Sequence, residues 1–222
     1  MSLPPVLSFD LDDTLWPVAP VIAAAEHALT AWLAEHYPQA VRDHTLESMR
    51  ALRNRVADRH PHLRHDLTFL RRSALVQQLT EAGYDDATAD EALEVFFAVR
   101  NRVVFYEDVR PSLERLRARH RLFAVSNGNA DLQRCGVAEY FEGHITARAA
   151  GAAKPDARIF SALLEKAGVS PAQILHVGDD PLADVAGARR AGMQAVWLNR
   201  DAREWPADLE PPARTVTSLA EL

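Results

Sequence analysis

Apolar positions in the first half of the chain recur at helical spacing. Val21, Ala25, Leu29, Trp32 and Leu33 make one face, and Leu46, Met49, Leu52 and Val56 a second. Leu67, Leu70, Ala74, Leu75 and Leu79 make a third, closing near Gly83, and Ala89, Leu93, Phe96 and Val99 a fourth. No strand-like run interrupts 20–99, so the pattern predicts a helical bundle there. Ahead of it, 6–9 is apolar but for Ser8 and bounded by Pro4-Pro5 and polar residues, as suits a strand buried on both faces. From Val109 onward the rhythm changes. Helices are expected over 111–119, 155–167 and 184–191, and strands over 122–126, 174–177 and 194–198. Strands alternating with helices predict a parallel sheet with right-handed crossovers, to which the first strand belongs. The bundle is then an insertion, and the Pro-rich stretch 205–212 a surface connector to a final strand and helix.

Composition narrows the setting. A chain of 222 residues, 48% of them hydrophobic, can bury a full core. Its net charge of -6 gives no reason to expect nucleic-acid binding. The lone Cys135 excludes an internal disulfide and fits a reducing compartment, and it reads as a packing residue. The first residues lack a basic segment followed by an apolar one, and no apolar stretch is long enough to cross a bilayer. A cytoplasmic protein with no membrane partner is the expectation.

Candidate chemistry clusters where strands are expected to end. Asp10, Asp12 and Asp13 follow the first apolar run, which places Asp10 and Asp12 at the carboxyl edge of the sheet, where ligands bind in such folds. Carboxylates crowded together repel, so a cation or a retained proton must hold them. Capping of the next helix suits Asp13 but does not explain three acids within four residues. Ser126-Asn127-Gly128-Asn129 follows the next apolar run, where a hydroxyl and backbone N–H groups can cradle phosphate oxygens or simply make a turn. Lys154 precedes a helix and either reaches a phosphate or is solvated. Gly178-Asp179-Asp180 closes another strand, with Asp184 four residues on, either supporting the site from behind or capping a helix. Asp10 and Asp179 at neighbouring strand tips would offer the hard oxygen ligands that magnesium prefers.

In this order, Asp10-Leu11-Asp12-Asp13-Thr14, Ser126, Lys154 and Asp179 with Asp184 resemble the four motifs of the haloacid dehalogenase superfamily of phosphohydrolases. The resemblance implies an α/β fold: a Rossmann-like core with a parallel sheet flanked by helices over 1–17 and 103–222, and an inserted α-helical cap domain over 18–102. It implies Asp10 as nucleophile and Asp12 as general acid/base. Ser126, Asn127 and Lys154 would hold phosphate, and Asp10, Asp12 (by its backbone carbonyl) and Asp179 would hold Mg²⁺, with Thr14, Asp180 and Asp184 in support. The stretches 127–130, 174–180 and 192–195, and 65–68 in the cap, are similar to a bacterial branch acting on 5-amino-6-(5-phospho-D-ribitylamino)uracil in riboflavin biosynthesis, or on FMN. The expected partner is a small phosphorylated metabolite, and the expected state a monomer or homodimer.

The cap would close over the site and select the leaving group. Seven arginines, at 50, 53, 55, 59, 64, 71 and 72, face only Asp58 and Asp66 between 50 and 72. They read chiefly as a solvated face paired with acids elsewhere in the cap, the other reading being attraction of an anionic substrate. His60, His62 and His65, interrupted by Pro61 and without cysteines, do not make a metal site. Trp16 reads as either a contact for a substrate ring or a core residue. The competing functions are a haloacid dehalogenase, a phosphomutase on the same scaffold, and a catalytically silent binding module.

Overall fold

The computed structural model describes residues 3–42 and 44–222. Residues 1 and 2, part of the N-terminal segment inspected for a leader, lie outside it, as does residue 43. The chain divides into two compact units, one made of the chain up to Pro17 with Val104–Leu222, the other of Val18–Val103.

The first strand, β1 (Val6–Phe9), leads into the helical unit. That unit holds α1 (Val18–His36), α2 (Pro38–Val41), α3 (Leu46–Arg59), α4 (Leu67–Glu81) and α5 (Thr88–Arg100). The other unit continues with α6 (Val109–Arg117), β2 (Arg121–Ser126), α7 (Leu132–Cys135), β3 (Gly143–Thr146), α8 (Ala147–Ala150) and α9 (Ala157–Ala167). It ends with β4 (Ile174–Gly178), α10 (Gly187–Arg190), β5 (Gln194–Leu198) and β6 (Thr215–Val216). The six strands run parallel in the order β3-β2-β1-β4-β5-β6. This is the α/β architecture with an inserted helical cap that the hydrophobic pattern and the motifs predicted.

Strand order decides where chemistry can happen. The chain builds β2 and β3 to one side of β1, then crosses to place β4 on the other, which opens a crevice at the carboxyl ends of β1 and β4. Beneath it, Val6, Phe123, Val125, Ile145, Ile174 and Trp197 pack against Ile159, Phe160 and Leu163 of α9. Cys135 is buried, as a packing residue should be.

Several elements depart from the sequence reading. The edge strand β3 was not anticipated, because Gly143 and His144 give its four residues little apolar signal. The helix expected over 184–191 opens instead as a π-helical turn, Pro181–Ala186. The final helix is a single 3₁₀ turn, Leu219–Glu221. Asp13 lies five residues before the start of α1, in a left-handed turn at φ 60°. The connector is tied down at one end, where Trp205 packs edge-on to Trp197 with ring centroids 5.0 Å apart.

The cap unit has its own core, with Ala25, Leu29 and Leu33 of α1 against Leu75, Leu79 and Phe96. Its arginines correct the solvated-face reading in part. Arg64 with Asp58 and Arg72 with Asp90 are exposed pairs of the expected kind. Arg53 and Arg71 are not: both turn inward onto Glu26, at 3.0 and 2.9 Å, and Glu26 is 4% exposed. Burial pushes the Arg71 guanidinium down to about 10 against the pull of Glu26, and its plane lies 3.6 Å over the Phe96 ring. Among the described residues no helix is long and apolar enough to cross a membrane. Glu26→Gln would strand two inward-facing guanidiniums without their shared counter-charge. It is expected to destabilise the protein by about 3–5 kcal/mol, read as a fall in the urea midpoint at constant m-value.

Candidate active site

Asp10 stands immediately beyond β1, its backbone N–H still donating to the Val177 carbonyl of β4 at 2.9 Å. The strand is thus paired on both sides up to the residue whose side chain enters the crevice. Lys154, also buried, comes from the loop ahead of α9. Its ammonium donates to Asp10 Oδ1 at 2.5 Å, Asp184 Oδ1 at 2.6 Å and the Val125 carbonyl at 2.9 Å, using all three of its protons. Asn127 fixes the lysine backbone from both sides, accepting from Lys154 N at 2.6 Å and donating to Lys154 O at 3.0 Å.

Asp184 reaches this cluster from the π-helical turn after β4. Asp180, not Asp184, caps that turn, accepting from Leu182 N and Ala183 N. Asp184 turns back over the strand tip, accepting from Asp180 N at 3.0 Å. Gly178 makes room for it: a Cβ there would lie inside contact distance of the Asp184 carboxyl. Beneath, His176 Nε2 lies 3.1 Å from Asp184 Oδ1, and its Nδ1 lies 2.8 Å from Ser8 Oγ. A carboxylate only accepts, so Nε2 carries the hydrogen and Ser8 donates to Nδ1. Burial holds His176 below its ordinary range, against the pull of Asp184.

The carboxylates of Asp10, Asp179 and Asp184 present oxygens within 4.8 Å of one another. Burial pushes Asp10 well above the ordinary 3.8; Lys154 pulls it back, and Asp184 and Asp179 raise it again. Burial, then Asp184, pushes Asp179 up to about 6, with Arg203 opposing. Asp184 goes the other way: burial would raise it, but Lys154 and His176 hold it well below the carboxylate range. Three acids facing the Lys154 ammonium and, at Asp179, the Arg203 guanidinium still leave unbalanced negative charge on hard oxygen donors, which fits a divalent ion such as magnesium.

The remaining expected residues divide. Thr14 Oγ1 donates to Asp179 Oδ1 at 3.4 Å, a long bond, and Ser126 sits at the tip of β2 with its Oγ accepting from Gly128 N. Asn127, expected at phosphate, has its side-chain amide engaged by the Lys154 backbone, so any phosphate contact falls to its backbone N–H. The Asp12 carboxyl lies outside the three-acid cluster and accepts from the Trp16 indole N–H at 2.8 Å. Arg203, Trp197 and His176 escaped the sequence reading. Trp197 Nε1 and Arg203 both donate to the Asp179 carbonyl, and Arg203 also reaches Asp179 Oδ2 at 3.0 Å. His176 alone left a signal, a polar residue inside an otherwise apolar buried strand.

Comparison with known proteins agrees with this geometry. The family described as haloacid dehalogenase-like hydrolase matches residues 5–192. A 5-amino-6-(5-phospho-D-ribitylamino)uracil phosphatase of Escherichia coli strain K12 is 35% identical over 224 residues, covering 97% of this chain and 93% of the relative. A phosphoserine phosphatase of Thermus thermophilus is 37% identical over 144 residues, covering 62% and 58%. The crystal structure of a 2-haloacid dehalogenase from Pseudomonas syringae pv. Tomato DC3000 superposes with a TM-score of 0.93 at 39% identity, over 99% of this chain and 96% of that one.

The packing of Gly178 against Asp184 is open to direct test. Gly178→Ala is expected to lower stability by about 1–3 kcal/mol, because the added methyl must displace a carboxyl already fixed by three donors. An unchanged urea midpoint would show that Asp184 has room to move.

Proposed function

Since the chain belongs to the haloacid dehalogenase-like hydrolase family, we propose that it hydrolyses a phosphomonoester of a small metabolite through a phosphoryl group carried transiently on Asp10. The observation that carries this reading is the convergence, at one sheet edge, of Asp10 with a buried ammonium 2.5 Å away and two further carboxylates. Asp10 attacks phosphorus in line with the ester oxygen, the bond to the leaving group breaks, and Asp12 gives its proton to the departing alkoxide. Asp12, now ionised, takes a proton from the water that attacks the aspartyl-phosphate, releasing phosphate and restoring Asp10. Lys154 favours the ionised form of Asp10 against the effect of burial, and the Ser126 hydroxyl and the N–H groups of the loop that follows suit the equatorial phosphoryl oxygens.

Magnesium would be held by the carboxylates of Asp10 and Asp179 and the Asp12 backbone carbonyl. Asp184, engaged by Lys154, His176 and Asp180 N, would brace the site rather than bind directly. When bound, the ion supplies charge neutralisation between nucleophile and phosphoryl oxygens. The Escherichia coli relative supports a ribityl phosphate as substrate, either the ribitylaminouracil phosphate or FMN, which presents the same primary phosphate ester.

A second reading, a 2-haloacid dehalogenase, has the Pseudomonas syringae structure behind it. In that reaction Asp10 would displace halide from carbon. A halide leaves without a proton, so Asp12 would have no proton to supply, and a metal-holding pair of strand-tip carboxylates would have no phosphoryl charge to offset. The phosphatase reading uses both.

Phosphate release from a panel of metabolites, with halide release from 2-chloropropionate alongside, separates the two. Magnesium-dependent phosphate release, abolished by chelator and restored by the ion, is the expected result. Asp10→Asn should lower it by more than about a thousandfold and Lys154→Met by roughly a hundredfold. An active Asp10→Asn protein, or metal-independent halide release without phosphatase activity, would overturn the proposal.

A further inference from the structure

We infer that Trp16 is a positioning residue that sets the orientation of the Asp12 carboxyl, the acid of the proposed reaction. The inference rests on the phosphatase reading and deepens it. Of the two roles open to Trp16 in the sequence, contact with a substrate ring is excluded, because the side chain is 0% exposed and packs edge-on to Phe105 with ring centroids 5.5 Å apart. Core packing does not exhaust its role either. A buried indole must find an acceptor for its one N–H, and here the acceptor is Asp12 Oδ1 at 2.8 Å.

The backbone is built to make that contact. Asp13, in its left-handed conformation, donates to the Trp16 carbonyl at 2.7 Å, and Leu15 donates to Leu11 O at 2.7 Å. Tyr106 N donates to the Leu15 carbonyl at 3.1 Å, tying the turn to the chain that re-enters the core unit. The turn folds the ring back onto the acid four residues before it.

Indole N–H donates and never accepts, so it cannot share a proton with the carboxyl. It can only hold Asp12 Oδ1 as its acceptor, which that oxygen remains whether the carboxyl is ionised or protonated. Turning the carboxyl away from the ring would leave a buried N–H without an acceptor, a costly state. The bond therefore holds the Asp12 carboxyl in one orientation while it gives and takes its proton.

Leaving-group dependence tests this. An alkoxide needs the proton from Asp12, whereas p-nitrophenolate leaves without it, and kcat/KM reports the phosphoryl-transfer step for both esters. Trp16→Phe is expected to lower kcat/KM for an alkyl monoester such as FMN by about tenfold or more, and for p-nitrophenyl phosphate by less than about threefold. Phe105→Leu, which loosens the same packing but keeps the N–H, should leave the ratio of the two unchanged. If Trp16→Phe does not fold, benzothienylalanine at position 16 makes the same measurement, since it keeps the two-ring volume and removes only the donor. Equal losses on both esters, while Asp12→Asn still discriminates between them, would overturn the role of Trp16 and leave the phosphatase reading standing. A ratio shifted as far by Phe105→Leu would overturn it too. An Asp12→Asn protein with equal losses on both esters would overturn the acid itself.

Discussion

The ammonium of Lys154 is the charge on which this site depends. Carboxylates cannot be gathered beneath a protein surface unless something offsets both their desolvation and their mutual repulsion. Lys154 does so from the centre, 2.5 Å from Asp10 and 2.6 Å from Asp184, with its third proton on the Val125 carbonyl. These bonds tie together the ends of β1 and β2 and the turn after β4, so one side chain sets both the electrostatics and the spacing of the crevice. Burial alone would push the ammonium toward neutrality, but the two carboxylates raise it well above the ordinary lysine range. Removing it would leave two buried acids facing each other.

The fold was legible in the sequence wherever apolar spacing was regular. The helical faces of the insert and the apolar runs at β1, β2, β4 and β5 fall where the periodicity placed them. What escaped had weak or misleading local signal. β3 is short and half polar, and the π-helical turn at Pro181–Ala186 depends on the fit of Asp184 over Gly178, a tertiary contact no periodicity encodes. The strand-tip acids and Lys154 could be picked out because their residue types and order are chemically distinctive. Arg203 could not, since an arginine in an irregular loop looks solvated until the loop is folded back by Asn199, which bonds Arg203 N and O with its own side chain.

The cap arginines teach the same lesson about charge. Counting residues between 50 and 72 suggests an excess of cations on a wet surface. Yet Arg53 and Arg71 find their partner, Glu26, on a helix 27 and 45 positions earlier in the chain, inside the bundle. Trp16 is the corresponding case for an aromatic residue. Its burial was one of two readings from sequence, but the target of its N–H follows from a turn whose shape depends on a left-handed Asp13. In each case the side chain is legible by type and its partner only by fold.

The stereochemical course at phosphorus tests the central claim most directly, using a phosphomonoester made chiral with sulfur and oxygen isotopes. Transfer to Asp10 and then to water is two in-line displacements, so the configuration of the released thiophosphate is expected to be retained. Inversion would mean a single displacement by water, and Asp10 would then not be the nucleophile.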